Sequence, residues 1–531
     1  MRYCDYGNVA MANPGLFRSS DAARRMTPPA DTVNDAGGKA YARSDEAALA
    51  LYALTGTFNS TFYATDETHL ERVTELCAKV EPRFLAQLAV YARSRGYMKD
   101  LPAFLVAQLA KRDVKLCASA FERVIDNAKM LRNFVQIIRS GTVGRKSLGS
   151  RPKALVKGWF GTRSTEALFR QSTGDKPSMA DLVKMVHPKP KDDEERAFYG
   201  WLIGRKVDFE KLPAVVRAFE AYKVFQQGEL PEAPFEMLAN LAKSPAQWAA
   251  IAQRATWRQL RMNLNTFQRQ GVFEDADLVL KLAAKLEDAG EVRRAREFPY
   301  NLFAAYKFAS SDTPLPFKIA LQRAMEVACE NVPALAGNVY VLIDASGSMQ
   351  NAVTGTRKGA TSAMRCIDVA ALVGSALVRK NPLAKTIVFG EEVLPAGKLV
   401  LNPLDSVVTN AEKFAALNLG GTDCSAPLRA INWYKFPVDL AILVSDSESW
   451  IDPGKASSTA VMREWATIKA RCPNAKLACI DLVPNCTAQV KGEGILSVGG
   501  FSDHVFQLLA DFVRGETNGE ALVKAIKEVA I

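Results

Sequence analysis

The sequence predicts a multidomain chain, an all-α HEAT-like helical repeat array followed by a doubly wound α/β domain. Three observations predict it. Across residues 44–335, apolar positions recur at helical spacing in short segments, each ended by Gly, Pro or a polar turn. From Gly337 the pattern changes to apolar strands alternating with helical stretches, as expected where helices cover a parallel sheet. Charge divides at the same place: residues 1–335 hold 49 Lys and Arg against 38 Asp and Glu, whereas residues 336–531 hold 19 of each.

Residues 1–43 are polar and turn-rich, with Thr27-Pro28-Pro29 and Asp35-Ala36-Gly37-Gly38, and are expected to form an extended lead-in. Helices are expected at 70–80, 82–95, 102–111, 118–128, 131–139, 153–160, 179–186, 197–203, 213–227, 235–243, 248–267, 278–286 and 317–329. Paired short amphipathic helices without a strict period fit a degenerate HEAT-like array better than a tetratricopeptide one. Such an array curves, giving a concave surface or, if its ends meet, a ring. Strands are expected at 339–344, 386–389, 399–401, 440–445 and 477–482, with helices at 366–379, 411–416, 427–433, 460–470 and 520–529. Trp159, Phe160, Tyr199 and Trp201 lie near basic residues, but their helical spacing favours core over base stacking.

Length and composition describe folded globular material, 531 residues with 48% hydrophobic content. Nine cysteines lack any Cys-x-x-Cys pair, which argues against a zinc or disulfide framework and for a reduced, cytoplasmic compartment. The first forty residues contain no signal segment and no apolar run approaches a membrane span, so neither secretion nor a membrane is expected. Positive charge concentrates further in residues 101–170, where 14 basic residues face 4 acidic ones. That is the electrostatic footprint of a polyanion-binding surface.

The clearest chemical signal is Val339-Tyr340-Val341-Leu342-Ile343-Asp344-Ala345-Ser346-Gly347-Ser348, a strand delivering one carboxylate and two hydroxyls into a tight turn. Thr422, in Gly420-Gly421-Thr422-Asp423, and Asp446, which ends the apolar run at 440–444, complete a candidate site. All its ligands are oxygens, which suits a hard divalent cation, Mg²⁺ above all. Strand ends are also where open α/β sheets bind ligands. The plainer alternative is that Ser346 and Ser348 only cap the next segment.

Other motifs lead nowhere. Gly141-Thr142-Val143-Gly144-Arg145-Lys146-Ser147 lacks the lysine and preceding strand of a P-loop. Asp192-Asp193-Glu194-Glu195 reads as a solvated helix start. Three scattered histidines cannot form a His-based centre, and no hydrolase or dinucleotide motif is present, so no catalytic residue is expected.

The Asp-x-Ser-x-Ser turn, the Gly-rich Thr loop and the later strand-end Asp resemble the metal-ion-dependent adhesion site of von Willebrand factor A domains, over residues 337–531. With Leu419-Gly420-Gly421-Thr422-Asp423-Cys424-Ser425, and with the stretches at 56–63, 153–160, 181–190 and 248–262, nearly the whole chain is similar to the bacterial Ro autoantigen family of the TROVE group. Two departures stand out: Gly174 lies where a basic residue is familiar, and the loop 351–364 is long and polar.

The resemblance implies a lead-in at 1–43, a TROVE RNA-binding array at 44–335 and a von Willebrand A domain at 336–531. It implies a monomeric ribonucleoprotein that holds a small noncoding Y RNA on its outer face and single-stranded 3′ ends of misfolded or immature RNA in a central hole. It further implies roles in RNA quality control, ribosomal RNA maturation and stress response, with an exoribonuclease such as polynucleotide phosphorylase tethered through the Y RNA. RNA contacts are expected from Arg139, Arg145, Lys146, Arg151, Lys153, Arg170, Lys176, His187 and Lys189. His187 precedes Pro188 after an amphipathic stretch, so a helix-end cap is its alternative role. A competing reading makes the chain a protein-interaction scaffold whose metal grips an acidic partner side chain. A metal-dependent nuclease lacks a visible general base.

Overall fold

In the computed structural model, residues 27–56, 58–174, 176–226, 228–295, 299–330, 332–355, 364–399, 401–452, 456–500, 503–515 and 520–531 are described. Nineteen α-helices run from Asp45 to Ala328 among them. Short polar side chains fix where they begin: Ser44, Thr65, Asp113 and Asn127 each accept from a backbone N–H of the following turn. Ser178 and Asp181 form a reciprocal capping box at the start of Met179–Val186, a helix the sequence places to the residue.

Two expectations need correction here. The helix expected over 248–267 is three, Pro245–Arg254, Trp257–Met262 and Leu264–Arg269, because Thr256 and Gln259 build a second capping box inside the apolar stretch. Asp45–Thr55 was not expected, since Ala48 to Thr55 are all buried and leave no polar face to reveal a helical period. The aromatic residues behave as core: Trp159, Phe160 and Tyr199 are buried, Trp159 donating to the Ile125 carbonyl at 2.7 Å.

The second domain holds a five-stranded parallel sheet. Its strands are β3 (Val339–Asp344), β4 (Lys385–Phe389), β5 (Leu440–Ser445), β6 (Lys476–Asp481) and β8 (Ile495–Gly499), in the order β4-β3-β5-β6-β8. Side chains of β3 alternate between two cores. Val339, Val341 and Ile343 join the core continuous with the helical array, while Tyr340 and Leu342 pack on the other face with Leu443 and Trp465. Of the strand expected at 399–401, Leu399 and Leu401 are not in strand conformation and residue 400 lies outside the described residues. Strand order reverses direction between β3 and β5, so the crevice for a ligand opens at the carboxyl ends of those two strands.

The lead-in joins this domain. Residues 1–26 lie outside the described residues, but β1 (Thr32–Val33) and β2 (Lys39–Ala42) pair antiparallel with each other, and β2 pairs with β7 (Thr487–Ala488). Arg43 fastens the hairpin. Its guanidinium donates to Asp481 Oδ2 at 2.6 Å, Ser497 Oγ at 2.6 Å and the Thr487 carbonyl at 2.7 Å, while Asp481 is fully buried.

The helical array leaves one side of the α/β domain and returns to another. At its start, Asp45–Thr55 packs on β8, and Gln87 of Pro82–Ser94 donates to the Val529 carbonyl at 3.0 Å. At its end, Pro299–Lys307 and Leu315–Ala328 pack on Cys366–Lys380 and Val407–Ala415, with Lys307 on Asp368 at 2.7 Å and Glu326 accepting from the Val407 N–H at 2.9 Å. The α/β domain thus closes the circuit. Among the described residues no helix is long and apolar enough to cross a membrane, and the described cysteines are free.

Removing one member of a buried ion pair leaves its partner uncompensated at a cost of about 3–5 kcal/mol. Arg43→Met is therefore expected to lower the unfolding free energy by that order in urea titration, whereas Arg170→Met, at an exposed pair, should change it by less than about 1 kcal/mol.

Candidate metal centre and basic surface

The strand ends of β3 and β5 bring the predicted ligands together. Asp344 and Ser346 are fully buried, and Ser348, Thr422 and Asp446 are buried as well. Backbone bonds stitch the loops: Leu419 N–H donates to the Ala345 carbonyl at 2.8 Å, and Gly347 N–H to the Gly420 carbonyl at 2.7 Å. Asp344 is held from both sides, accepting from the Ser346 N–H at 2.8 Å and the Ser445 hydroxyl at 2.6 Å. Ser346 and Ser348 place their hydroxyl oxygens 3.3 Å apart. Neither caps a helix, since no side-chain cap bond is made by the 3₁₀ turn Ser348–Gln350, so the plainer reading of these serines fails.

Neighbouring Asp423 does different work. Its carboxylate accepts from the Ser425 N–H at 2.8 Å and pairs with Arg429.

Burial first, and then the negative charge of Asp446, push the Asp344 carboxyl up to about 7. Burial raises Asp446 in turn. Glu448, two residues on, is driven up to about 8 by burial and then by Asp446. Among the described residues no cationic side chain pairs with Asp344 or Asp446 to offset this. Two carboxylates and three hydroxyls form an oxygen-only donor set for a hard dication. Among the described residues no three His, Cys, Asp or Glu side chains converge as metal ligands, so a cation held here would depend on the hydroxyls of Ser346, Ser348 and Thr422.

Sequence reading missed the roof over this centre. Thr61, Phe62 and Tyr63, from the loop before Asp66–Lys79, line one small cavity together with Asp35, Ser348, Asp446 and Glu448. Its free volume is about 20 Å³, room for one water-sized species. Tyr63 and Ser348 line that cavity together, and burial raises the Tyr63 phenol well above the usual tyrosine range. Asn59 anchors the loop through the Thr354 carbonyl at 2.8 Å. The hairpin holds the opposite wall, where Asn34 donates to the Ser449 carbonyl at 2.8 Å and the Ala36 N–H to Glu448 at 3.2 Å. The stretch 56–63 had carried part of the family resemblance without revealing that it lies over the metal loops.

The nine residues expected to touch RNA fall into distinct places. Arg139 ends Ala128–Arg139 with its guanidinium 3.3 Å from Met185 Sδ, which brings the carboxyl ends of that helix and of Met179–Val186 together. Lys146 and Arg151 are exposed on the loop and helix start that follow. His187 and Lys189 are exposed just beyond Val186, and His187 closes that helix in a left-handed conformation at φ 50°, so the cap role holds while its ring stays free to face solvent.

Lys153 is half-buried one turn into Ser150–Gly161. Arg145 is also half-buried and donates to the Ala110 carbonyl at 3.1 Å, a bracing role. Arg170 and Lys176 lie elsewhere. Arg170 pairs with Glu232 at 2.7 Å, and Lys176 precedes Met179–Val186, at the end opposite His187 and about 12 Å away along its axis.

Comparison with known proteins shows what this arrangement is similar to. The model of the Ro60 von Willebrand A domain matches residues 338–513, the sheet and metal loops together. Over residues 338–513 the chain carries a Ro60-type von Willebrand A domain. The RNA-binding protein RO60 of Deinococcus radiodurans is 25% identical over 519 residues, covering 91% of this chain and 95% of the relative. The crystal structure of the Deinococcus radiodurans RO (RSR) protein superposes with a TM-score of 0.61 at 21% identity, over 89% of this chain and all of that one. That match extends the shared fold through the helical array. The Ro60-type domain here accounts for the clustering of Asp344, Ser346, Ser348, Thr422 and Asp446.

Asp344→Asn keeps the shape of the side chain and removes one of two adjacent buried charges. In chelator, this variant is expected to be more stable than the parent by about 1–2 kcal/mol in urea titration.

Proposed function

We propose that this chain is a non-catalytic RNA-binding protein that works as the core of a ribonucleoprotein. The observation that carries this reading is the cationic group Arg139, Lys146, Arg151, His187 and Lys189. These residues are exposed, Arg139, His187 and Lys189 at the carboxyl ends of two packed helices and Lys146 and Arg151 on the loop and helix start after the first, and among the described residues none has a carboxylate at ion-pair distance. A solvated helix surface normally carries both signs, whereas a phosphate-binding one keeps its cations unmatched. The Deinococcus relative named an RNA-binding protein supports the same reading. The finer roles follow from it: a small noncoding Y RNA on this basic face, single-stranded 3′ ends of misfolded or immature RNA in the closed circuit, and an exoribonuclease such as polynucleotide phosphorylase recruited through the Y RNA. RNA quality control, ribosomal RNA maturation and stress recovery in the cytoplasm are the processes such a particle would serve.

Lys and Arg contacts supply affinity through counterion release, so binding should weaken steeply with salt. A structured small RNA and a duplex with a single-stranded 3′ tail are the probes. In filter binding at low salt, Arg139→Glu with Lys146→Glu is expected to weaken the structured RNA by about 100-fold and to flatten the salt slope. Asp344→Ala should leave it within about twofold. Salt-independent binding of both RNAs, or no binding, would overturn the proposal.

The cation we assign to Asp344, Ser346, Ser348, Thr422 and Asp446 is Mg²⁺. It would neutralise the buried carboxylates and hold three loops in register. Support comes from the uncompensated charge and the oxygen-only donor set. A use in gripping an acidic partner side chain is disfavoured by the roof, which leaves about 20 Å³ beside the metal loops. Mg²⁺ is expected to raise the melting temperature of the parent protein and of Arg139→Glu alike, and to leave that of Asp446→Ala unmoved. An equal rise in Asp446→Ala would place the ion elsewhere.

A further inference from the structure

A second cavity, of about 570 Å³, lies where the start of the helical array meets the last two helices of the α/β domain, Asp503–Arg514 and Ala521–Lys527. Its size is that of small-molecule sites, about 300–1,000 Å³. Two buried polar atoms at its wall have no hydrogen-bond partner, the Tyr91 hydroxyl and His504 Nε2, and Tyr91 is only 3% exposed. Burying such groups unsatisfied costs about 1–3 kcal/mol each, so a fold that keeps two of them side by side is keeping them for something that fills the space. The rings of Tyr91 and His504 meet edge to face with centroids 5.1 Å apart, which fixes both against the same wall.

The rim identifies the missing partner as an anion. Arg95 and Lys524 line it with charged heads that form no ion pair among the described residues, and Arg123 adds a third cation while donating to the Ala530 carbonyl. Of the two acids on the rim, Asp511 is already engaged by Arg514 and Gln507. Glu528 remains, an acceptor suited to a hydroxyl group. Leu508, Ala521 and Val529 give the cavity an apolar side against which a flat or aliphatic portion can lie. A guanidinium and an ammonium around neutral hydrogen-bonding groups match a phosphate better than a carboxylate, because phosphate presents more oxygens in three dimensions.

We propose that this cavity binds a small phosphorylated molecule, its phosphate held by Arg95, Lys524 and Arg123 and its body placed against Tyr91 and His504. The site joins residues of the first helices to residues of the last, so its ligand clamps the seam at which the circuit closes. Occupancy would stabilise the closed form by mass action.

The test uses the full chain, with inorganic phosphate, adenosine 5′-monophosphate, and an RNA tetranucleotide with or without a 5′ phosphate as probes. At constant ionic strength, calorimetric titration should show saturable binding of phosphate and tighter binding of the mononucleotide. Arg95→Ala with Lys524→Ala, both exposed and free of packing duties, should weaken binding at least about tenfold. Tyr91→Phe, which keeps the ring in place, should weaken it too. No binding of phosphate or mononucleotide, or binding unchanged in the double variant, would overturn the proposal. Binding confined to the 5′-phosphorylated tetranucleotide would also overturn it, by assigning the cavity to an RNA end.

Discussion

The buried pair of Arg43 and Asp481 is the point on which the rest of the molecule hangs. Asp481 ends β6, a central strand, and is fully buried, so its charge has to be answered from within the protein. The answer comes from a residue 438 positions earlier, at the junction between the hairpin and the first helix. That single demand draws the amino-terminal part onto the α/β domain. Once Arg43 is docked, the hairpin adds to β7, the helix Asp45–Thr55 lies against β8, and the loop that follows is carried over the ends of β3 and β5. The roof is therefore a consequence of how the circuit is closed.

This bears on what the metal loops can do. An adhesion-type site that grips a partner's carboxylate must open to solvent, whereas here Tyr63 and Phe62 share a small cavity with Ser348 and Asp446. With the site closed, a cation bound there would act on the fold, by relieving the like-charge repulsion between Asp344 and Asp446 inside the crevice. Charge is divided between the domains in the same sense. The basic block lies in the array and the neutral part in the domain that clasps it.

How much of this the sequence showed depended on whether the determinant was local. Asp344, Ser346, Ser348, Thr422 and Asp446 were legible because a parallel strand needs a continuous apolar run and ends where the polar residues begin, so a strand-end ligand announces itself. The same applies to Met179–Val186, whose capping box and amphipathic period coincide. Asp45–Thr55 was hidden because burial on every side erases the period, and the roof was hidden because nothing in Thr61-Phe62-Tyr63 states what lies beneath it. The basic residues were legible as a class and not one by one. Arg145 and Arg170 look equivalent to Arg139 in a charge count, yet one braces a backbone carbonyl and another pairs with Glu232.

The two ends of the array converge on a single segment of the clasp. From the amino-terminal side, Asn59 bonds the Thr354 carbonyl, and a Cβ on Gly355 would approach the Ser60 carbonyl to 2.7 Å. Gly355 itself has φ 73°, a left-handed conformation that suits glycine, so both its backbone and the space beside it resist a side chain. From the carboxyl-terminal side, Lys307 reaches Asp368, a fully buried carboxylate also held by Arg365 at 2.8 Å. Asn351, Ala352 and Cys366, each within a few residues of one of these anchors, line the small cavity beside Ser348 and Asp446. Lifting the roof would thus strain the attachments of the first and last parts of the array together. For that reason the state of the metal loops and the closure of the circuit are mechanically one variable, and a cation that tightens the first also tightens the second.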